Sequence, residues 1–161
     1  MEVKIKVDDF NNELKYRIIR GEFFEARKLA QKLKYDELRK FILSQECDEY
    51  KDVVFYFFLE EWAIDSQDDK LFELTSILMS FSLNWIPGAY NVALKHLQKA
   101  IEIQPENTDY KSEILLFHEI PERLITLEEA GKYAQEVLEV YPDDKFAQKI
   151  MKRIENKKKE S

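Results

Sequence analysis

Glycine, proline, cysteine and histidine are all scarce in this sequence, with three Gly, four Pro, one Cys and two His in 161 residues. β-Sandwiches and barrels turn often and draw on Gly and Pro to do so, so the shortage favours long helices with short connections. A single cysteine, Cys47, allows no disulfide framework and no cysteine-rich zinc site within one chain. Positive charge is short as well. The formal net charge is −7, whereas phosphate contacts need clustered Lys and Arg. No apolar run approaches the roughly 20 residues that span a bilayer; the longest, Val53 to Leu59, falls far below it. Met1 to Asp9 contains no apolar core of signal-peptide length. The expectation is a cytoplasmic, soluble protein that binds neither nucleic acid nor membrane.

Hydrophobic residues at 45% and aromatics at 13% are enough for a sizeable core, read here as a single domain over 1–161. The stretch from Gly88 to Asn107 organises the rest. Ala93, Leu94, Leu97, Ala100 and Ile101 recur at three- and four-residue steps, giving one apolar helix face with two small residues in it. Gly88 supplies the turn before this helix, and Pro105 ends it. The pattern returns upstream, where Ala26 follows Gly21 by five residues as Ala93 follows Gly88, and Leu29, Ala30 and Leu33 continue the face. Downstream, Ala130, Ala134 and Val137 lie on a helix that opens with the Thr126–Glu129 capping box and closes at Pro142.

Ala26 and Ala93 are 67 residues apart, and Ala93 and Ala130 are 37 apart. These spacings, with the glycine turn, the small-residue face and the closing Pro105–Glu106–Asn107, resemble the tetratricopeptide repeat (TPR) family. The resemblance implies an all-α, TPR-like α-solenoid of about four antiparallel helix pairs plus a C-terminal capping helix. The unit closing at Pro142 exceeds the family period by three residues, assigned to the Ile120–Ile125 connection, with Ile125 where the turn glycine would stand.

In chain order, Val3, Ile5 and Val7 alternate with polar residues in a short N-terminal arm, 1–7. Asp8 or Asp9 caps a helix bearing Phe10, Leu14 and Ile18. Asp36 caps a helix with Leu38, Phe41 and Ile42. Two helices, about 50–64 and 70–86, are apolar nearly all round and are expected at the centre, with Trp62 and Trp85 as core anchors. The last helix carries Phe146, Ala147, Ile150, Met151 and Ile154 inward, ahead of a basic, flexible tail, 156–161.

No motif points to catalysis, to a cofactor or to a metal. His118-Glu119 begins like the metalloprotease helix motif, but Glu122 stands where the second histidine belongs and Pro121 breaks the helix. Cys47 lies between Glu46 and Asp48, whose charges oppose a thiolate. The Lys and Asn pair by which some TPR domains grip a C-terminal carboxylate has no counterpart in the groove helices, where Leu78 and Ser82, or Ser112 and Leu116, occupy the places. From Glu46 to Asp69 nine acidic residues face Lys51 alone, making either a negative binding face or a solvated surface with helix-capping aspartates.

The resulting expectation is a non-enzymatic interaction module that binds a protein or peptide, possibly a basic one, on its helical stack. The candidate partner-binding residues are Glu60, Glu61 and Asp65, with Tyr90 and Tyr110 as exposed aromatics. The acidity also suits an alternative, a small intracellular immunity or inhibitor protein that neutralises a basic, nuclease-like toxin. A third class, an enzyme with an unrecognised carboxylate site, requires a pocket holding at least two convergent acids.

Overall fold

The computed structural model describes residues 7–46 and 49–160, and among these the fold is all-helical, with no strand. Helix α1 (Val7–Ile19) and α2 (Phe23–Ala30) are followed by α3 (Tyr35–Leu43). A 3₁₀ turn (Tyr50–Val53) runs into α4 (Val54–Ser66), and α5 (Asp69–Ile77) continues into a π-helical segment, Leu78–Ser82. Then come α6 (Ala89–Ile103), the short α7 (Thr108–Glu113) and α8 (Leu116–Glu119), α9 (Leu127–Val140) and α10 (Lys145–Lys159). Residues 1–6 of the expected arm, Cys47 and Asp48 lie outside the described residues.

Local chemistry sets most helix ends. Asn107 Oδ1 accepts the Asp109 N–H at 3.0 Å, Thr126 Oγ1 accepts the Glu129 N–H at 3.1 Å, and Asp144 Oδ1 accepts the Ala147 N–H at 2.9 Å. Each satisfies an amide that the first turn leaves without an intrahelical partner. The Glu129 carboxylate reaches back to the Thr126 N–H at 2.7 Å and completes the expected capping box. Gly88 starts α6 at φ +85°, in the left-handed region that side chains disfavour.

Other ends differ from the sequence reading. Helix α1 begins at Val7, so Asp8 and Asp9 fall inside its first turn. For α3 the N-cap is Lys34, whose N–H donates to Glu37 Oε2 at 2.8 Å, in place of Asp36. Helix α10 runs on to Lys159, so most of the expected flexible tail is helical.

Helix α5 sits at the centre. Its backbone is packed closely against α4 and α6, and Leu71 to Ser76 are all buried. Helix α6 lays Ala93, Leu97 and Ala100 into this core as its small-residue face requires. At the far end α9 packs along α10 and against α7. Helix α3 approaches the π-helical segment more closely than it does α4. Helix α4 is less enclosed than its composition suggests: Phe55, Phe58, Leu59 and Ala63 are buried, but Phe57 and Ile64 are exposed. Trp62 is partly buried, its ring 5.7 Å from Phe58. Trp85 is 38% exposed, in contrast to the core position expected for it. It stands beyond the helix, in the turn after the π-helical segment, where no helical face directs it inward.

Connections fold back instead of looping out. The Leu124 N–H donates to Phe117 O at 2.8 Å, and His118 Nδ1 lies 3.1 Å from Ile125 O in a buried contact. Ile125 is itself buried, so the long connection contributes to the core.

The small-residue face yields a test. Ala93 is fully buried, and Ala93→Leu adds three carbons to a filled interface. Overpacking of this kind costs about 1–3 kcal/mol. A lower urea midpoint at unchanged slope is the expected result, and an unaltered midpoint would show that the face has room.

Candidate functional site

The acid-dense segment is largely engaged within the chain. Arg27 on α2 spans two carboxylates of α4, with Nη2 at 2.7 Å from Glu61 Oε1 and Nη1 at 2.7 Å from Asp65 Oδ2. Its Nε–H stays buried without an acceptor. Glu60 Oε1 lies 3.9 Å from His96 Nε2, which the Tyr56 hydroxyl approaches to 3.3 Å. Burial holds the His96 ring below its usual pKa, with Glu60 opposing. Burial, assisted by Glu60, raises the Tyr56 phenol. Asp52 is buried and takes the Glu49 N–H at 3.0 Å, while Asp68 caps α5 through the Lys70 N–H at 2.9 Å. Glu60, Glu61 and Asp65 do meet in one shallow cleft of about 470 Å³ with Phe23, Phe57 and Ile64. The count against Lys51 alone overlooked Arg27, which lies 34 and 38 residues away in sequence.

Neither predicted tyrosine is an open contact. Tyr90 packs partly buried against the core. Tyr110 is 6% exposed, and its hydroxyl donates to Asp69 Oδ2 at 2.7 Å, which joins α7 to the first turn of α5. The expectation of an exposed aromatic at this position is corrected: the ring is structural. Burial raises its phenol, reinforced by the Asp69 carboxylate.

A different cleft, about 470 Å³, lies where α3, α5, α7 and α10 face one another. Arg39 of α3, Ile77 of α5, Phe81 of the π-helical segment, Glu113 of α7 and Phe146 of α10 line it. Two of these, Phe81 and Phe146, are 64% and 52% exposed. The π turn explains Phe81. Its i→i+5 bond, Leu83 N–H to Leu78 O at 2.9 Å, inserts an extra residue per turn. That rotates Phe81 off the line of Leu74 and Leu78, which stay fully buried. Read at 3.6 residues per turn, the sequence puts Phe81 in the core, and nothing local announces the wider turn.

Two carboxyl groups, buried Glu73 of α5 and part-buried Glu113 of α7, lie near enough for the second to act on the first. Glu73 is only 5% exposed and accepts a hydrogen bond from the Tyr35 hydroxyl. Burial first, and the Glu113 charge second, push its pKa up to about 8. Glu113 is pushed up to about 7 by burial, with Arg39 opposing and Asp109 adding. Two like charges in a poorly solvated place disfavour each other's ionisation. Sequence reasoning passed over both residues, because they sit on separate helices, 40 residues apart, and carry no common pattern.

The pair meets half of what a carboxylate enzyme requires. Glu113 lines the cleft, while Glu73 is turned to Tyr35 below it, so one acid alone reaches the open space. The metalloprotease-like His118-Glu119 is put to other uses: His118 ties down the 120–125 connection, and Glu119 binds Lys149 at 2.6 Å and Arg153. Those cations hold the Glu119 carboxyl below its usual pKa. Among the described residues no three His, Cys, Asp or Glu side chains are grouped to hold a metal ion, and no helix is long and apolar enough to cross a membrane. Comparison of the chain with protein-family models, with curated proteins and with solved structures found no match.

Glu73 makes stability depend on pH in a defined direction. Its folded-state pKa of about 8 lies above the ordinary value, so the folded chain keeps a proton that the unfolded chain has released. Its contribution is fully present at acid pH and is lost as pH rises through about 8. Glu73→Gln keeps an acceptor for Tyr35 and removes the titration. Thermal melts should coincide near pH 4 and separate at pH 9, the variant melting about 10–20 °C higher, since a shift from 4.5 to about 8 is worth about 5 kcal/mol and each kcal/mol moves the midpoint by about 2–4 °C for a chain of this size. A variant melting at or below wild type at pH 9 contradicts the assignment.

Proposed function

We propose that the chain is a TPR-like α-solenoid that binds a protein or peptide segment, without catalysis, in the cleft between α3, α5, α7 and α10. The repeat reading is supported by the spacing of the long-range polar contacts that link α2 through α7; beyond α7 such contacts join residues 25 to 34 apart. Arg27 with Glu61 and Asp65, Tyr35 with Glu73, Tyr56 with His96, and Asp69 with Tyr110 join residues 34 to 41 apart. Each ties a helix to the helix about one repeat further on, as stacked helix pairs demand. Helices α3, α5 and α7 then form the inner surface, and α2, α4 and α6 the outer one.

The binding reading is carried by one observation. Phe81 and Phe146, from helices far apart in sequence, stand more than half exposed over the same cleft. Large apolar side chains gathered around a concavity, rather than scattered singly, mark a surface that gains by being covered. With a net charge of −7, no cationic patch in the cleft and a single cysteine, the setting proposed is cytoplasmic and the partner a protein rather than a nucleic acid.

The test is selection of a displayed random dodecapeptide library on the full chain, with Phe81→Ala/Phe146→Ala as the counter-target. The proposal expects enriched peptides with at least one apolar anchor, whose affinity falls tenfold or more on the double variant. A tenfold loss is about 1.4 kcal/mol, within reach of two truncated aromatics. Both truncated rings are largely exposed, so the variant should fold, as its circular dichroism and melt can verify. No enrichment, or peptides that bind the variant equally well, would remove this reading.

A further inference from the structure

A second concave surface shares no lining residue with the cleft described above. It is a groove of about 540 Å³ between the first half of α9 and the last half of α10. Leu127, Met151 and Ile154, all partly buried, supply its apolar lining. A Cβ at Gly131 would stand 2.3 Å from Ile154 Cδ1, so the glycine lets that methyl lie against the α9 backbone. The charge around the groove is unbalanced. Helix α10 carries six lysines and one arginine against Glu155 alone, and all eight are exposed. The helix is therefore +6 in a chain of net −7, which leaves −13 on everything else. Glu119 takes up Lys149 and Arg153 only. In the groove itself Glu128 is the one carboxylate against Lys132, Lys157 and Lys158. Lys132 lies 3.9 Å from Glu128, in an exposed pair of the kind that water leaves weak.

We infer that this groove takes an acidic segment of a partner protein, with an apolar side chain seated on Met151 and Ile154 and carboxylates on either side of it meeting Lys132 and Lys158. A basic occupant would add to the positive excess, and a neutral one would cover the lysine stems while leaving their charge uncompensated. The apolar lining is recessed, since Leu127, Met151 and Ile154 are partly buried among lysines that stand in solvent. A recess is filled by a projecting side chain. The flat surface of a bilayer would instead need apolar residues that project outward from the helix. The groove also offers no ring on which a base of single-stranded nucleic acid could stack. The −13 on the rest of the chain repels a polyanion broader than the helix, which confines the contact to a short segment.

Three capped hexapeptides separate the outcomes: acetyl-Glu-Glu-Leu-Leu-Glu-Glu-amide, the same peptide with Gln for every Glu, and the same with Ser for both Leu. Phosphatidylserine vesicles and a polyuridine oligonucleotide stand beside them as polyanions of other classes. Peptide and oligonucleotide binding to the full chain is followed by the amide NMR resonances of Gly131, Lys132, Ile154 and Lys158, and vesicle binding by co-sedimentation. Physiological ionic strength is used, where a Debye length of about 8 Å leaves only close ion pairs in force. The acidic leucine peptide should bind at least tenfold more tightly than either peptide control, and Lys132→Glu/Lys158→Glu should remove that advantage. Both lysines are exposed, so the double variant should fold, as its circular dichroism can verify. A serine peptide that binds equally well would make the lysines a general cationic surface and overturn the inference. Equal binding of the glutamine peptide would overturn it by removing the role of charge. Vesicles or oligonucleotide held more tightly than the peptide, through the same two lysines, would reassign the surface to lipid or nucleic acid. The inference also falls if the acidic leucine peptide shifts none of these resonances at millimolar concentration.

Discussion

Helix α5 is buried along most of its length, and the remaining helices take their positions from what it needs. Six consecutive residues, Leu71 to Ser76, are buried, and three of them, Glu73, Thr75 and Ser76, are polar. A buried polar group without a partner costs about 1–3 kcal/mol, so an enclosed helix of this composition restricts its neighbours. Thr75 satisfies itself within the helix, its hydroxyl donating to Leu71 O at 2.7 Å. Glu73 and Asp69 look outward for partners and find the hydroxyls of Tyr35 on α3 and Tyr110 on α7. These two contacts tie α3 and α7 to α5, while α4 and α6 pack along its other side. Packing gives the core its stability; the tyrosine–carboxyl contacts decide which of many similar helix registers is adopted.

The π-helical segment that follows α5 leaves Phe81 exposed while keeping Leu78, Met79 and Leu83 buried. One widened turn thus converts the end of a core helix into the rim of a concave surface. Phe146 completes that rim from α10, whose Ala147 and Ile150 are fixed in the core and leave Phe146 to face the opening.

What could be read from the sequence was local in origin. Pro105, Pro142 and the Thr126–Glu129 pair specify helix ends by their own chemistry, and the Ala93–Leu97–Ala100 face states its burial through its period. The misreadings share one cause. Trp85 is read by counting along a regular helix and Tyr110 by residue type, and each position is decided by something irregular or non-local: a helix that ends early, a carboxylate 41 residues away. Glu73 and Glu113 were invisible for a related reason. Single Glu residues on separate helices carry no pattern until α5 and α7 are packed together.

The two acidic regions show why carboxylate density is a poor guide to where charge acts. Along α4 the acids are many, but Glu61 and Asp65 share the Arg27 fork at a surface where solvent and salt screen what remains. Exposed pairs of that kind hold α2 against α4 and offer an incoming partner little. In the cleft only Glu113 meets the open space, with Glu73 behind it, yet desolvation leaves the pair poorly compensated. Burial there raises the pKa of both carboxyls, whereas none of the three α4 acids is held far from water. How a carboxyl titrates is therefore decided by its burial and not by the number of acids near it in sequence.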